Sequence, residues 1–304
     1  MSRIFVLGNA TLDLTLTMPT WPAAGETVLA SSLIRGPGGK GLNQAWAAAR
    51  AGGKVTLVAP RGDDENGAYL ERFIREADLL ECRWRICEDS TDISTIWVAA
   101  NGENMIASSA QCARTLAPAE VGDLLEGFGD GDFLVLQGNL RSDTTLAACR
   151  HARTREGRIL LNTAPIDWSM APLLPLVDVI VCNAPEAATL TGLKGREAAL
   201  ALSGSTVGTV VVTLGNDGAI VLDGNGESHI QAPTVASCDT SGAGDVFVGF
   251  LAANLSRQHS LLDAAKFAVA AASLSVTRQG ALLSCPTAQE ASTFILANAG
   301  ATST

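Results

Sequence analysis

The chain has 304 residues, 47% of them hydrophobic and 17% charged, with a formal net charge of −10. That composition excludes a disordered chain, and the acidic balance excludes a nucleic-acid or membrane-surface partner held by general electrostatics. A phosphate ligand stays open, because backbone dipoles bind phosphate even inside acidic proteins.

An apolar run at residues 4–7 opens the chain as a strand, too short for a signal peptide. Residues 13–35 follow with no helical pattern, and Leu14-Thr15-Leu16-Thr17 alternates as a half-exposed antiparallel strand should. A helix is expected at 42–51, a strand at 55–58 and a helix at 67–77. Residues 94–108 again look like strands, joined by Asn101-Gly102, a pair suited to a type I′ hairpin turn. Next come a strand at 133–136, a helix at 142–154, strands at 159–161 and 177–181, and helices at 185–191 and 196–202. Strands at 209–214 and 219–222 precede a helical last third, at 245–255, 261–276 and 287–298. The strand runs are continuous rather than alternating, which fits a sheet covered on both faces. The expected fold is α/β, a doubly wound, mostly parallel sheet within one domain over 1–304. The insertions at about 13–35 and 94–108 form a separate small β-sheet, suited to a lid or a subunit contact. No stretch approaches the ~18 consecutive apolar residues of a membrane span.

The seven cysteines (Cys82, Cys87, Cys112, Cys149, Cys182, Cys238 and Cys285) are odd in number and contain no CxxC pair. They read as reduced, mostly buried thiols of a cytoplasmic protein, with Cys238 a small buried filler. His151, His229 and His259 show no ligand spacing and read as surface residues.

Two glycine-rich segments carry the chemistry. Arg35-Gly36-Pro37-Gly38-Gly39-Lys40-Gly41-Leu42-Asn43-Gln44-Ala45 leads into an alanine-rich helix. It matches a dinucleotide fingerprint only in letter, because it does not follow the first strand. It is no Walker loop either, since Gly41 stands where a Ser or Thr should follow Lys40. Its glycines let backbone approach a ligand, to which Lys40 and Asn43 bring a cation and an amide. The second segment, Asp239-Thr240-Ser241-Gly242-Ala243-Gly244-Asp245, opens a helix. The amides of Gly242, Ala243 and Gly244 at that helix start suit a transferred phosphoryl group. Asp245 is placed either as a helix cap or as a general base for an attacking hydroxyl.

These segments resemble the two signatures of the ribokinase (phosphofructokinase-B) family of ATP-dependent sugar kinases. Asn183-Ala184-Pro185-Glu186, Thr213-Leu214-Gly215-Asn216-Asp217-Gly218 and Val276-Thr277-Arg278-Gln279-Gly280-Ala281 resemble three further family motifs, in the family's order. The resemblance implies a ribokinase-like fold with a β-sheet lid and phosphorylation of a hydroxymethyl group on a small sugar. It implies Asp245 as general base and Gly242, Ala243 and Gly244 as the anion hole. Asp13, Gly39, Lys40 and Asn43 would hold the sugar, with Thr11 and Asn139 at two further sugar positions. Asn183, Thr213, Gly215, Gly218 and Gly244 would hold ATP, and Glu186 would order Mg²⁺ through water. Asp239, Ser241, Ser275, Arg278, Gly280 and Ser284 would supply a K⁺ site. Apart from the resemblance, the exposed strand edges of the small sheet suit a homodimer through the lid.

The departures fall on the sugar side. Thr11 stands where the family carries Asn, Asn139 where it carries a carboxylate, and Gln111-Cys112-Ala113-Arg114 where it carries Gly-Ala-Asn. Arg114 is open to two readings, an exposed arginine or a contact to an anionic substrate. A nucleoside or phosphosugar kinase of the same family, a non-catalytic sugar or nucleotide sensor and a dinucleotide-dependent oxidoreductase are the competing readings.

Overall fold

In a computed structural model, residues 2–99, 104–205 and 208–299 are described. The chain begins β1 (Arg3–Leu7), β2 (Thr11–Met18), β3 (Ser32–Gly38), α1 (Lys40–Arg50), β4 (Lys54–Gly62), α2 (Glu65–Ala77) and β5 (Glu81–Cys87). It continues β6 (Ile93–Ala99), β7 (Asn104–Ser108), α3 (Val121–Leu124), β8 (Phe133–Leu136), α4 (Ser142–Thr154) and β9 (Arg158–Asn162). Then come β10 (Val179–Asn183), α5 (Ala184–Thr191), α6 (Gly195–Ser205), β11 (Thr209–Thr213), β12 (Ala219–Asp223) and β13 (Gly226–Ile230). Helices α7 (Ala243–Ser256), α8 (Leu261–Ser275) and α9 (Ala288–Ala299) close the described chain.

The main sheet runs β13-β12-β11-β10-β9-β8-β1-β4-β5, parallel from β11 to β5, with β12 and β13 antiparallel at one edge. Both faces are covered. Ile4 and Val6 of β1 join a core with α1, α7 and α8, while Phe5 and Leu7 join a second core with α4 and α6. This is the period-two reading of a continuous apolar strand. Helix α7 is apolar nearly all round and is buried between α1 and α8. It fits there because Gly249 has no side chain: a Cβ would stand 2.5 Å from Ala47 Cβ and 2.7 Å from the Gln44 carbonyl.

The expected doubly wound, mostly parallel sheet is present. Strands β5 and β13 were not expected, and they are its two edges. Edge strands face solvent and alternate polar with apolar residues, as in Glu81-Cys82-Arg83-Trp84-Arg85, so they lack the continuous apolar run of the interior strands.

The small sheet runs β3-β2-β6-β7. It is mixed: β2 pairs antiparallel with β3, as its alternation predicts, but parallel with β6. Its strands reach past the expected bounds, from Thr11 to Gly38 in the first insertion. The expected Asn101-Gly102 turn lies outside the described residues.

No described helix is long and apolar enough to cross a membrane. Most cysteines are buried, but Cys238 is exposed rather than a buried filler, because it lies in a loop ahead of α7. His229 and His259 are exposed, whereas His151 is half-buried and its imidazole pKa is lowered by burial and by nearby Arg155.

Candidate active site

Strand order reverses between β8 and β1, and the carboxyl ends of parallel strands at such a point open a crevice for ligands. A cavity of about 520 Å³ lies there, roofed by the small sheet. The cross-strand pairs Ser94–Ser108 and Ile96–Ile106 of β6 and β7 form part of its wall. Asp13 from β2, Gly39 and Lys40 at the start of α1, Asn43 one turn later, Asn139 after β8 and Asp245 in α7 all face it. The sequence therefore brings together the base candidate and every expected sugar contact except one. Thr11 does not reach the cavity. It is fully buried behind Asp13, and its hydroxyl donates to Asp13 Oδ1 at 2.6 Å.

Asp13 anchors a row of hydroxyls. Ser108 Oγ donates to Ser94 Oγ at 2.9 Å, and Ser94 Oγ donates to Thr11 Oγ1 at 3.2 Å. Burial raises the Asp13 carboxyl pKa to about 6; bonds from Thr11 and Ser94 oppose the rise and the nearby Asp245 adds to it.

Asp245 is 6% exposed and stands in the first turn of α7. Gln44 Nε2 donates to its Oδ1 at 2.9 Å, Asn43 Nδ2 donates to its Oδ2 at 3.2 Å, and Lys40 Nζ lies 3.8 Å from Oδ1. Asn43 Oδ1, also at the cavity, is buried without a partner, as is Asn139 Oδ1. These free acceptors suit a ligand that brings hydroxyl donors.

The loop ahead of α7 turns at Gly242, where φ is +76°, a left-handed conformation that glycine adopts without strain. Gly242 faces the first cavity. Ala243 and Gly244 face a second one, of about 380 Å³, on the other side of the loop. Thr213, Gly215 and Gly218 line this second cavity, as their expected nucleotide role requires, together with Ala232, Phe247, Val269 and Ala272. The loop thus separates two adjoining chambers at the positive end of a buried helix. The Ala243 amide already faces the Thr240 carbonyl at 3.4 Å, which leaves Gly242 and Gly244 as the freer donors.

Asn183 and Glu186 stand beside the second cavity rather than in its wall, although Asn183 pairs in register with Thr213. Together they cap α5: Asn183 Oδ1 accepts from the Glu186 amide at 2.8 Å, and Glu186 Oε2 accepts from the Asn183 amide at 3.1 Å. Thr163 Oγ1 also donates to Glu186 Oε2, at 2.9 Å. Among the described residues no three His, Cys, Asp or Glu side chains cluster as metal ligands. A half-exposed Glu186 fits a Mg²⁺ ion that arrives with nucleotide phosphates and meets the protein through water.

The loops expected to hold K⁺ do come together. Asp239 accepts from the Ser241 and Gly280 amides, each at 2.9 Å, and the Val276 carbonyl accepts from the Cys238 and Asp239 amides. The Ser275 carbonyl is taken by the Arg278 amide, and the Arg278 side chain pairs with Glu290. Ser284 is buried near the same turn, donating to the Ala281 carbonyl at 3.4 Å. The Asp239 charge at this turn is the feature that would suit a monovalent cation.

Arg114, with two readings open from the sequence, lines the first cavity and is ion-paired with Asp167, which the sequence does not single out. Ser94 and Ser108 were visible only as part of a strand pattern. Gln44 carries no role in the sequence beyond its place in the first glycine-rich segment. Asn104 Nδ2 of the small sheet donates to Ser241 Oγ at 3.1 Å, tying the roof to the loop ahead of α7.

Comparison with known proteins agrees with this fold. The profile of the pfkB family carbohydrate kinase matches residues 1–288. A ribokinase of Haemophilus influenzae is 31% identical over 297 residues, spanning 95% of this chain and 97% of that protein. A deoxyribokinase of Salmonella typhi is 30% identical over 309 residues, spanning 97% of this chain and 99% of that protein. The crystal structure of the ribokinase of Thermotoga maritima superposes with a TM-score of 0.88 at 28% identity, covering 97% of this chain and 100% of that one.

Proposed function

Because the chain belongs to the pfkB family of carbohydrate kinases, ATP-dependent phosphotransferases acting on sugar hydroxyls, we propose that it phosphorylates the hydroxymethyl group of a small free sugar. The observation that carries this reading is Asp245: a buried carboxylate at the boundary between two chambers, with one chamber suited to a polyol and the other to a nucleotide.

The sugar lies in the roofed cavity, its ring hydroxyls donating to Asp13 and to the free Asn43 and Asn139 oxygens, with Lys40 beside it. Its hydroxymethyl oxygen faces Asp245. As that oxygen forms its bond to the γ-phosphorus, its proton passes to an Asp245 carboxylate oxygen and the bond from phosphorus to ADP breaks. Gly242 and Gly244 amides point at the oxygens where charge gathers, aided by the α7 dipole. The nucleotide lies against Thr213, Gly215 and Gly218, with Asn183 beside the phosphates. When bound, Mg²⁺ neutralises phosphate charge, ordered by Glu186 through water. Asp239, Ser241, Ser275, Arg278, Gly280 and Ser284 would hold K⁺, which would supply positive charge beside the anion hole. The roof excludes water, which limits ATP hydrolysis.

A pentose such as ribose fits best, with 2-deoxyribose as its near competitor, since both kinds of kinase are among the relatives. The Arg114 guanidinium is already paired with Asp167, which disfavours a phosphosugar. The uncovered edge strands β3 and β7 of the small sheet suit pairing with a second copy of the chain in a cytoplasmic dimer.

The test is a coupled ADP-release assay with Mg²⁺ on pentoses, hexoses, nucleosides and phosphosugars, each with K⁺ or Na⁺. Turnover on a free pentose, faster in K⁺, is the expected outcome. Turnover confined to nucleosides or phosphosugars would overturn the substrate reading, and ATP binding without turnover on any acceptor would favour a sensor.

A further inference from the structure

Gln44 is completely buried and lines neither cavity, so it touches no substrate. It nevertheless makes the shortest contact to Asp245, through Nε2 at 2.9 Å. The same Nε2 lies 3.2 Å from Asn162 Oδ1, and its Oε1 accepts from Gln137 Nε2 at 2.8 Å. Asn162 in turn donates to the Val181 carbonyl at 3.1 Å. The amide is thus held on both ends by residues at the carboxyl termini of β8 and β9, the rigid part of the fold.

The orientation of every group in this chain follows from Asp245. An ionised carboxylate only accepts, so Gln44 must turn its NH₂ towards it and its carbonyl away. Gln137 must then offer its NH₂ to that carbonyl, which leaves Gln137 Oε1 buried without a partner. An orphaned buried acceptor costs stability. Such an orphan beside a reacting group points to a network built for orientation, since local rules are broken most often at functional sites.

We infer that Gln44 is the positioning residue for Asp245: it fixes the carboxylate from the α1 side, outside both cavities, so that an unshared lone pair faces the acceptor hydroxyl. This rests on Asp245 being the base. The α1–α7 contact at Gly249, one turn after Asp245, sets the distance at which the two residues meet. A carboxylate freed to rotate by even about 1 Å loses roughly 10²-fold in rate. Lys40 and Asn43 cannot replace this hold, because both sit in the cavity wall and engage the ligand as well.

The experiment is a double-mutant cycle on the full chain with ATP and ribose, or with whichever sugar the panel selects. Gln44→Met should lower kcat about 10- to 100-fold while KM for sugar and for ATP stays within about threefold. In an Asp245→Asn background, the same substitution should change the residual rate by less than about threefold, because Gln44 acts only through Asp245. A full loss in both backgrounds, or a rise in KM with kcat unchanged, would overturn the inference. Should Gln44→Met fail to fold, Gln137→Met keeps its neighbour's shape and removes only the donor to Gln44 Oε1; the same kcat-only pattern is expected, about 3- to 10-fold, and an unchanged kcat would count against it. Asp245→Asn with near wild-type turnover would remove the base assignment itself, whereas a collapsed Asp245→Asn beside an intact Gln44→Met would remove Gln44 alone.

Discussion

The two chambers on either side of the Gly242 turn are built from different materials. The nucleotide chamber is lined by glycines, backbone and small or apolar side chains, among them Gly215, Gly218, Ala232 and Phe247, with no charged residue in its wall. The sugar chamber carries Asp13, Lys40, Arg114, Asp167 and Asp245. Backbone recognition needs only the right turn, so it survives changes of neighbouring side chains. Side-chain recognition depends on each residue and on what stands behind it. With the proposed assignment of the two chambers, the uncharged half carries the general chemistry and the charged half the choice of substrate.

The harshest challenge to this contrast is at the boundary. Gly242→Ala would force a side chain into a residue with φ of +76° and set a Cβ 2.7 Å from the Ala281 carbonyl oxygen. Left-handed strain there costs about 1–2 kcal/mol before the clash is counted. Because Gly242 makes the turn between the two chambers, kcat should fall roughly 10²-fold, as for loss of an oxyanion donor, with ADP and sugar still binding separately by calorimetry. A loss of one ligand's binding with kcat intact would show that the turn belongs to one chamber only.

A smaller effect, confined to the sugar chamber, follows from Asp13. Its carboxyl titrates near 6, because burial disfavours its charge. Sugar hydroxyls donate to the ionised form, so sugar affinity should be steady above that pH and fall about tenfold per pH unit below it, while ATP affinity stays flat. The sign for stability is opposite. A carboxyl raised above its unfolded pKa favours the folded state at acid pH, and that contribution fades as pH rises through about 6. Thr11→Val removes the donor at 2.6 Å and should move the fall in sugar affinity to higher pH, by about one pH unit. Calorimetric titration of ribose against pH reads both; a pH-independent affinity would remove Asp13 from sugar binding.

The same contrast explains what was legible in the sequence. Interior strands announce themselves as continuous apolar runs, and glycine loops as signatures, because backbone geometry dictates both. Edge strands β5 and β13 were not, since solvent on one side leaves no such run. Thr11 was read as a sugar contact, yet it works one layer behind, on Asp13. Gln44 gave no local signal at all: its partners are Gln137, Asn162 and Asp245, which lie 93, 118 and 201 residues away in the chain. Only the fold brings them together.

The most direct test of the account is a rapid-quench single turnover with γ-labelled ATP and ribose, comparing the wild type with Asp245→Asn. With Asp245 as the base, phosphoryl transfer should slow by about 10²- to 10⁴-fold in the variant, with sugar and ATP binding retained. A variant that transfers phosphate at close to the wild-type rate would contradict it.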